Sequence, residues 1–180
     1  MIKTILLVLP AMAVLAIAAV LLIALRQPDN FRVERSVRIA APAERIFPMI
    51  NDMRQMNSWS PFVKKDPNIK GVYSGPDSGP GAAYDFQGNR EVGSGRVRIV
   101  DAASPLRVVM KLDMTAPLQA HNDIVFSLVA AGNATQVTWT MEGPSPFLGK
   151  VMGVVFNMDR MVGGAFEEGL ADLKLRAEKA

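Results

Sequence analysis

The sequence contains a single histidine, His121, and an aspartate follows two residues later at Asp123. Residues i and i+2 of a β-strand share a face, so in a strand the two side chains could touch. A carboxylate that orients an imidazole is a general-base arrangement. Apolar residues at 124, 126 and 128 occupy the other face, which predicts that His121 and Asp123 point outward. The pair is a weak catalytic candidate, and the sequence favours a protein that is not an enzyme.

Metal and cofactor chemistry have little support in the residue types. The chain has no cysteine, which excludes disulfides, thiolate metal sites and cysteine nucleophiles. The carboxylates are scattered and none shows a calcium-loop spacing. Gly93-Ser94-Gly95 lacks the third glycine of a dinucleotide-binding pattern and is read as a turn. We therefore expect no metal and no cofactor.

The charge distribution argues against a nucleic-acid partner. The sequence has 20 basic and 17 acidic residues. Two of the basic residues, Lys3 and Arg26, flank an apolar N-terminal run, which leaves the rest of the chain nearly neutral. No long basic block is present to follow a phosphate backbone.

The N-terminal run from Ile5 to Leu25 carries no charged residue. A helix of this length measures about 31 Å at ~1.5 Å per residue, which is enough to cross the hydrocarbon core of a membrane. A cleaved signal peptide is the alternative, because Ala16-Ile17-Ala18 resembles a cleavage site. The apolar run continues past Ala18 beyond the usual signal length, which favours a retained span.

These features predict a transmembrane anchor over residues 1–26, a short linker over 27–30 and one folded domain over 31–180. The sequence predicts a single-pass protein in a bacterial inner membrane, and the membrane itself is a predicted partner. The sequence leaves open which side of the membrane the domain faces, its oligomeric state and any protein partner.

Alternation of apolar and polar residues predicts an antiparallel sheet of about seven strands. The clearest strand runs from Leu106 to Met114, with apolar residues at even positions and Arg107, Lys111 and Asp113 at odd ones. Ala41-Pro42 begins a short helix that Pro48 is expected to shorten or kink. A long amphipathic helix is predicted from Ser145 to the C-terminus, and the pair Gly163-Gly164 either interrupts it or permits close packing.

Four stretches occur in an order that resembles the SRPBCC superfamily, the START and polyketide-cyclase-like group. They are Val37-Arg38-Ile39-Ala40-Ala41-Pro42 with Ile46-Phe47; Trp59-Ser60-Pro61-Phe62 before Asp66-Pro67; Thr135-Gln136-Val137-Thr138-Trp139; and Met158-Asp159-Arg160 before Phe166-Glu167-Glu168-Gly169-Leu170 with Leu173-Lys174. The resemblance implies an α+β helix-grip fold, in which a curved antiparallel sheet surrounds a long C-terminal helix and a hydrophobic cavity. It does not choose among the activities of the superfamily.

Given that fold, inward-phase residues are expected to line the cavity. Flexible methionine and large aromatic side chains suit variable apolar ligands, although both are also ordinary core residues. Arg35 is the one charge in the inward phase of the first strand and is expected either to bind an anionic ligand group or to extend to solvent. The candidate lining is Arg35, Trp59, Tyr84, Phe86, Val108, Met110, Leu112, Met114, Phe126, Trp139, Met141, Met158 and Val162.

The sequence therefore predicts a membrane-tethered binding module for a lipid or another hydrophobic small molecule. Two alternatives stay open. One is an acid–base enzyme of the polyketide cyclase/dehydrase type, which requires a polar dyad facing the cavity. The other is a ligand-free interaction domain with a filled core.

Overall fold

Seven antiparallel strands form one sheet, and helices cover its concave face. The computed structural model of the protein describes residues 2–155 and 158–179. The strands are β1 (Asn30–Ile39), β2 (Lys70–Ser74), β3 (Ala83–Gln87), β4 (Ser94–Ala103), β5 (Arg107–Ala116), β6 (Ala120–Ala131) and β7 (Ala134–Pro144). The helices are α1 (Ile2–Leu25), α2 (Ala43–Asn51), α3 (Met53–Trp59), α4 (Pro61–Lys65), α5 (Phe147–Val155) and α6 (Met158–Lys179).

The sheet has the order β1-β7-β6-β5-β4-β3-β2, so β2 to β7 form a meander and β1 returns to pair with β7. Inward residues align in rows across the strands. One row runs through Arg35, Trp139, Phe126 and Val108, and the next runs through Val33, Met141, Ile124, Met110 and Ile99. These rows form the apolar floor of the concave face. The α+β prediction of seven antiparallel strands and a C-terminal helix is confirmed.

The core lies between this floor and helices α2, α3 and α6. Trp139 stacks on Phe166 of α6 with ring centroids 4.0 Å apart and planes 8° apart. Trp59 meets the rings of Trp139 and Phe126 edge to face, at centroid distances of 5.8 and 6.0 Å. Edge-to-face and stacked pairs are favoured arrangements of aromatic rings. The aromatic cluster therefore fixes α6 and α3 onto the sheet.

The short helices follow local signals in the sequence. Pro48 lies inside α2, and the helix ends three residues later at Asn51. The side chain of Asp52 then accepts hydrogen bonds from the backbone N–H groups of Arg54 and Gln55, at 2.8 and 3.0 Å, and so caps α3. The prediction of a short helix around Pro48 is confirmed.

The predicted long helix consists of two described helices, α5 and α6, with residues 156–157 outside the described part. The glycine pair at 163–164 lies within α6 and does not interrupt it. Helix α5 contains no buried residue and packs on α1. Of the two described helices, α6 therefore covers the sheet, while α5 lies at the margin of the core.

The N-terminal helix corrects the membrane prediction. Among the residues that the structure describes, no helix is long and apolar enough to cross a membrane. A membrane span needs about 20 consecutive apolar residues. The earlier side chains of the Ile5 to Leu25 run lie outside the described set. The prediction of a single-pass protein of a bacterial inner membrane is overturned by this finding.

Candidate functional site

The candidate site lies at one end of the concave face, where the cover by helices is incomplete. Two rows of inward-facing residues cross the sheet there. The first contains Phe31, Gly143, Asn122, Leu112, Val97, Tyr84 and Tyr73, and the second contains Met114, Gly95, Phe86 and Gly71. Six apolar side chains at this end are half-buried: Phe31, Tyr73, Phe86, Leu112 and Met114 on the strands and Val162 on α6. We call these six the rim residues.

The structure divides the predicted cavity lining into two groups. Deep residues are fully packed in the core: Trp59, Val108, Met110, Phe126 and Trp139 are each at most 1% exposed. Tyr84 and Met141 are buried at 6% and 8% exposure. Phe86, Leu112, Met114 and Val162 belong to the rim residues. The side chain of Met158 lies outside the described residues. Only the rim group is positioned to meet a ligand without rearrangement of the core.

Arg35 has a structural partner on α6. Its Nη2 lies 2.9 Å from Asp159 Oδ2, and its Nε lies 2.6 Å from Glu167 Oε1. A Cβ at Gly163 would overlap the guanidinium, so the glycine lets Arg35 lie across the helix between the two carboxylates. Hydrogen bonds from Arg35 hold the pKa of Asp159 below its usual range. Arg35 therefore ties β1 to α6 and is not free to bind an anionic ligand.

Two polar groups on the concave face have no partner among the described residues. Trp139 Nε1 and Asn122 Oδ1 are both buried and make no hydrogen bond. By contrast, Trp59 Nε1 donates to the carbonyl of Met49 at 2.8 Å. Sequence reasoning missed Asn122, although its phase with Ile124, Phe126 and Leu128 placed it on the inward face.

Tyr73, Tyr84 and Phe86 form an aromatic ladder on the β2–β3 side of the site. The centroid distances are 4.7 Å between the tyrosines and 6.1 Å between Tyr84 and Phe86. Burial raises the pKa of the Tyr84 phenol because ionisation would place a charge in an apolar setting. Asn57 donates to the Tyr73 hydroxyl at 3.0 Å, which anchors this end of the ladder to α3.

His121 and Asp123 do not form the pair that their spacing allowed. His121 Nδ1 lies 2.6 Å from Asp113 Oδ1 on the neighbouring strand, while Asp123 forms an ion pair with Lys111. A carboxylate only accepts hydrogen bonds, so Nδ1 carries the proton of the His121–Asp113 contact. His121 points away from the concave face and its side chain is 76% exposed. Each residue belongs to a cross-strand pair of the outer surface.

A pocket of about 480 Å³ also lies on the β2–β5 part of the sheet. Its lining is drawn mostly from outward-phase residues: Lys70, Val72, Asp85, Gln87, Arg96, Asp113 and Thr115. Arg96 faces Asp85 and Asp113 in register, so the charges of this trough offset one another. The lining also includes the rim residue Phe86, and most of the accessible lining surface is apolar. The size of this trough alone does not make it the ligand site. No group of metal-ligating side chains occurs among the described residues.

A curved antiparallel sheet whose apolar concave face holds a C-terminal helix is the helix-grip architecture. The chain belongs to the polyketide cyclase/dehydrase and lipid transport family, whose model matches residues 30–178. The resemblance to the SRPBCC group is therefore confirmed at the level of the family. Among curated proteins, none matches the chain significantly.

Solved structures support the fold. A protein from Thermobifida fusca aligns with a TM-score of 0.61 and 22% identity over 82% of this chain and 93% of that one. A protein from Chromobacterium violaceum gives 0.59 and 15% over 84% and 99%. The Aha1 dimer from Colwellia psychrerythraea gives 0.56 and 17% over 82% and 96%. At these identities the likeness shows the fold alone.

Proposed function

We propose that this protein binds a hydrophobic small molecule against the rim residues of the concave face. The observation that carries the proposal is the contrast between the two parts of that face. The deep rows are packed by α6, whereas the end that contains Phe31, Leu112, Met114 and Phe86 is only half-buried. Apolar surface left half-exposed beside a filled core is typical of a binding site.

The marginal position of α5 supports the same location. The helix has no buried residue, and Phe147, Leu148 and Val155 are 48%, 55% and 58% exposed. It packs on α1, while the sheet is covered mainly by α6 and α2. A ligand at the rim therefore gains apolar contact without displacing a packed core helix. The description of the family, which includes lipid transport, is consistent with an apolar ligand.

Native mass spectrometry of the full chain, purified after exposure to a lipid extract, tests this proposal. We expect a population carrying one small apolar molecule that is released when the protein is denatured. Ligand-free protein at every extract concentration would contradict the proposal and would favour an interaction domain with a filled core.

Acid–base catalysis is a second candidate, and the His121–Asp113 contact is the observation that favours it. The dyad lies on the outer surface, where Asp113 borders the trough. This places it on the opposite face from the rim residues, whereas the cyclase hypothesis requires a dyad facing the apolar site. His121→Ala separates the two candidates: we expect unchanged ligand occupancy in native mass spectrometry. Loss of the ligand in this variant would move the site to the outer face.

A further inference from the structure

We propose that Asn122 is the polar anchor of the ligand site, and that the ligand is an apolar molecule ending in one neutral hydrogen-bond donor such as a hydroxyl. This inference rests on the proposed function and specifies its ligand class.

Asn122 is a buried polar residue within an apolar row. It lies on β6 opposite Leu112 of β5, and its neighbours along the strand on the same face include Ile124. The residue is 8% exposed, and Oδ1 has no hydrogen-bond partner among the described residues. Buried amide oxygens are normally satisfied, so an orphaned one requires an explanation. Its place beside the rim residues provides one, because a ligand donor would complete the hydrogen bond.

Gly143 makes room for this amide. A Cβ at Gly143 would overlap Asn122 Oδ1 and would lie 2.9 Å from the carbonyl oxygen of His121. Any larger residue at position 143 of β7 would therefore displace the Asn122 side chain. Asn122 supplies one hydrogen-bond acceptor within the apolar row, and Gly143 leaves the room that its side chain needs. A few placed polar groups of this kind orient ligands in apolar pockets.

The charges around the site favour a neutral ligand end over a carboxylate. Arg35 is the one charged side chain at an inward-facing position of the described strands, and Asp159 and Glu167 already engage it. Two carboxylates surround one guanidinium, so this cluster carries excess negative charge. Lys150, at the start of α5, is paired with Asp29 at 2.6 Å. Arg54 of α3 lies over the ring of the rim residue Tyr73, with Cζ 4.2 Å from the ring centroid, but Tyr73 is on β2, four strands away from Asn122 on β6. A ligand carboxylate placed at Asn122 would lose its hydration and has no proton to donate to Oδ1.

Displacement titrations with two probes of equal chain length, dodecanol and dodecanoate, test the inference. The reporter is N-phenylnaphthylamine, a fluorescent apolar molecule. We expect the full chain to bind dodecanol at least about 10-fold more tightly than dodecanoate at neutral pH, because only the carboxylate must lose its charge hydration. In Asn122→Leu we expect dodecanol to bind about 3- to 10-fold more weakly, which is the contribution of one neutral hydrogen bond.

Asn51→Leu is the matched control. Asn51 Oδ1 is also buried without a partner, but the residue ends α2 and is not on the strands of the concave face. We expect this variant to bind both probes as the unmodified protein does. If Asn122→Leu binds the reporter but retains full dodecanol affinity, the anchor assignment is wrong while the proposed function stands. If neither the unmodified protein nor any variant binds the reporter, the proposed function itself fails.

Discussion

The guanidinium of Arg35 lies directly over Gly163, in the space that a side chain at that position would fill. Its hydrogen bonds to Asp159, one turn before the glycine, and to Glu167, one turn after it, clamp β1 onto α6. Since α6 packs Phe166 against Trp139, this clamp sets the position of the helix that covers the deep half of the concave face.

Gly163→Ala should leave the protein less stable than the same substitution at Gly164, because the added methyl group must displace the Arg35 guanidinium from its two carboxylates. The guanidinium ends a flexible side chain and both carboxylates are exposed, so we expect a difference of about 1 kcal/mol between the two variants. Gly164→Ala is the matched control, since nothing lies within 4 Å of a Cβ there and alanine is the better helix former. We expect Gly164→Ala to be neutral or to stabilise by up to about 1 kcal/mol. Urea denaturation of both variants provides the measurement, and equal effects would contradict the clamp.

The Arg35–Asp159 pair should make stability depend on pH at the acidic end. The folded protein holds the pKa of Asp159 below its usual range, so the pair stabilises above the unfolded value near 3.8 and is lost as pH falls through the lower folded value. Asp159→Asn should therefore lower the unfolding free energy at neutral pH, and the difference from the unmodified protein should shrink below about pH 4.

A double-mutant cycle assigns this effect to the pair. Arg35→Gln and Asp159→Asn should show a coupling energy at neutral pH that is lost in strong acid. If the difference in unfolding free energy between Asp159→Asn and the unmodified protein stays constant from neutral to strongly acidic pH, Asp159 acts through something other than its charge.

The two tryptophans should respond differently to removal of their N–H groups. Trp59→Phe removes the hydrogen bond to the Met49 carbonyl, whereas Trp139→Phe removes a donor that has no partner among the described residues. Both substitutions delete a similar volume, so the comparison isolates the hydrogen bond. We expect Trp59→Phe to cost at least about 1 kcal/mol more than Trp139→Phe in thermal or urea unfolding. The reverse order would mean that Trp139 Nε1 has a partner in solution.

The sequence predicted those features that depend on local periodicity. Alternation in β5 placed Val108, Met110 and Leu112 on one face, and the inward phase of Arg35 was read correctly from β1. The partners of Arg35 were not predictable, because Asp159 and Glu167 lie 124 and 132 residues further along the chain. Only the packing of α6 against β1 brings them together.

The partner of His121 also could not be predicted from the sequence, although it lies closer along the chain. Its spacing to Asp123 put both residues on the outer face, but residues i and i+2 of a strand are about 6.6 Å apart along the chain. A residue directly opposite on the next strand is closer, at about 4.5–5.5 Å. The register of β5 with β6 places Asp113 opposite His121 and Lys111 opposite Asp123. That register is set by the turn between the strands and could not be read from the alternation alone.

We propose the half-buried end of the concave face, and not the outer face, as the place where an apolar ligand binds. Leu112 and Val109 are both half-buried residues of β5 that lie on opposite faces, so they give a matched pair. In titrations with N-phenylnaphthylamine, Leu112→Gln should weaken binding by about 10-fold or more, as expected when a buried leucine contact is lost. Val109→Gln should leave the affinity within about 2-fold of the unmodified protein. Equal affinities for the two variants, or a larger loss in Val109→Gln, would contradict the account.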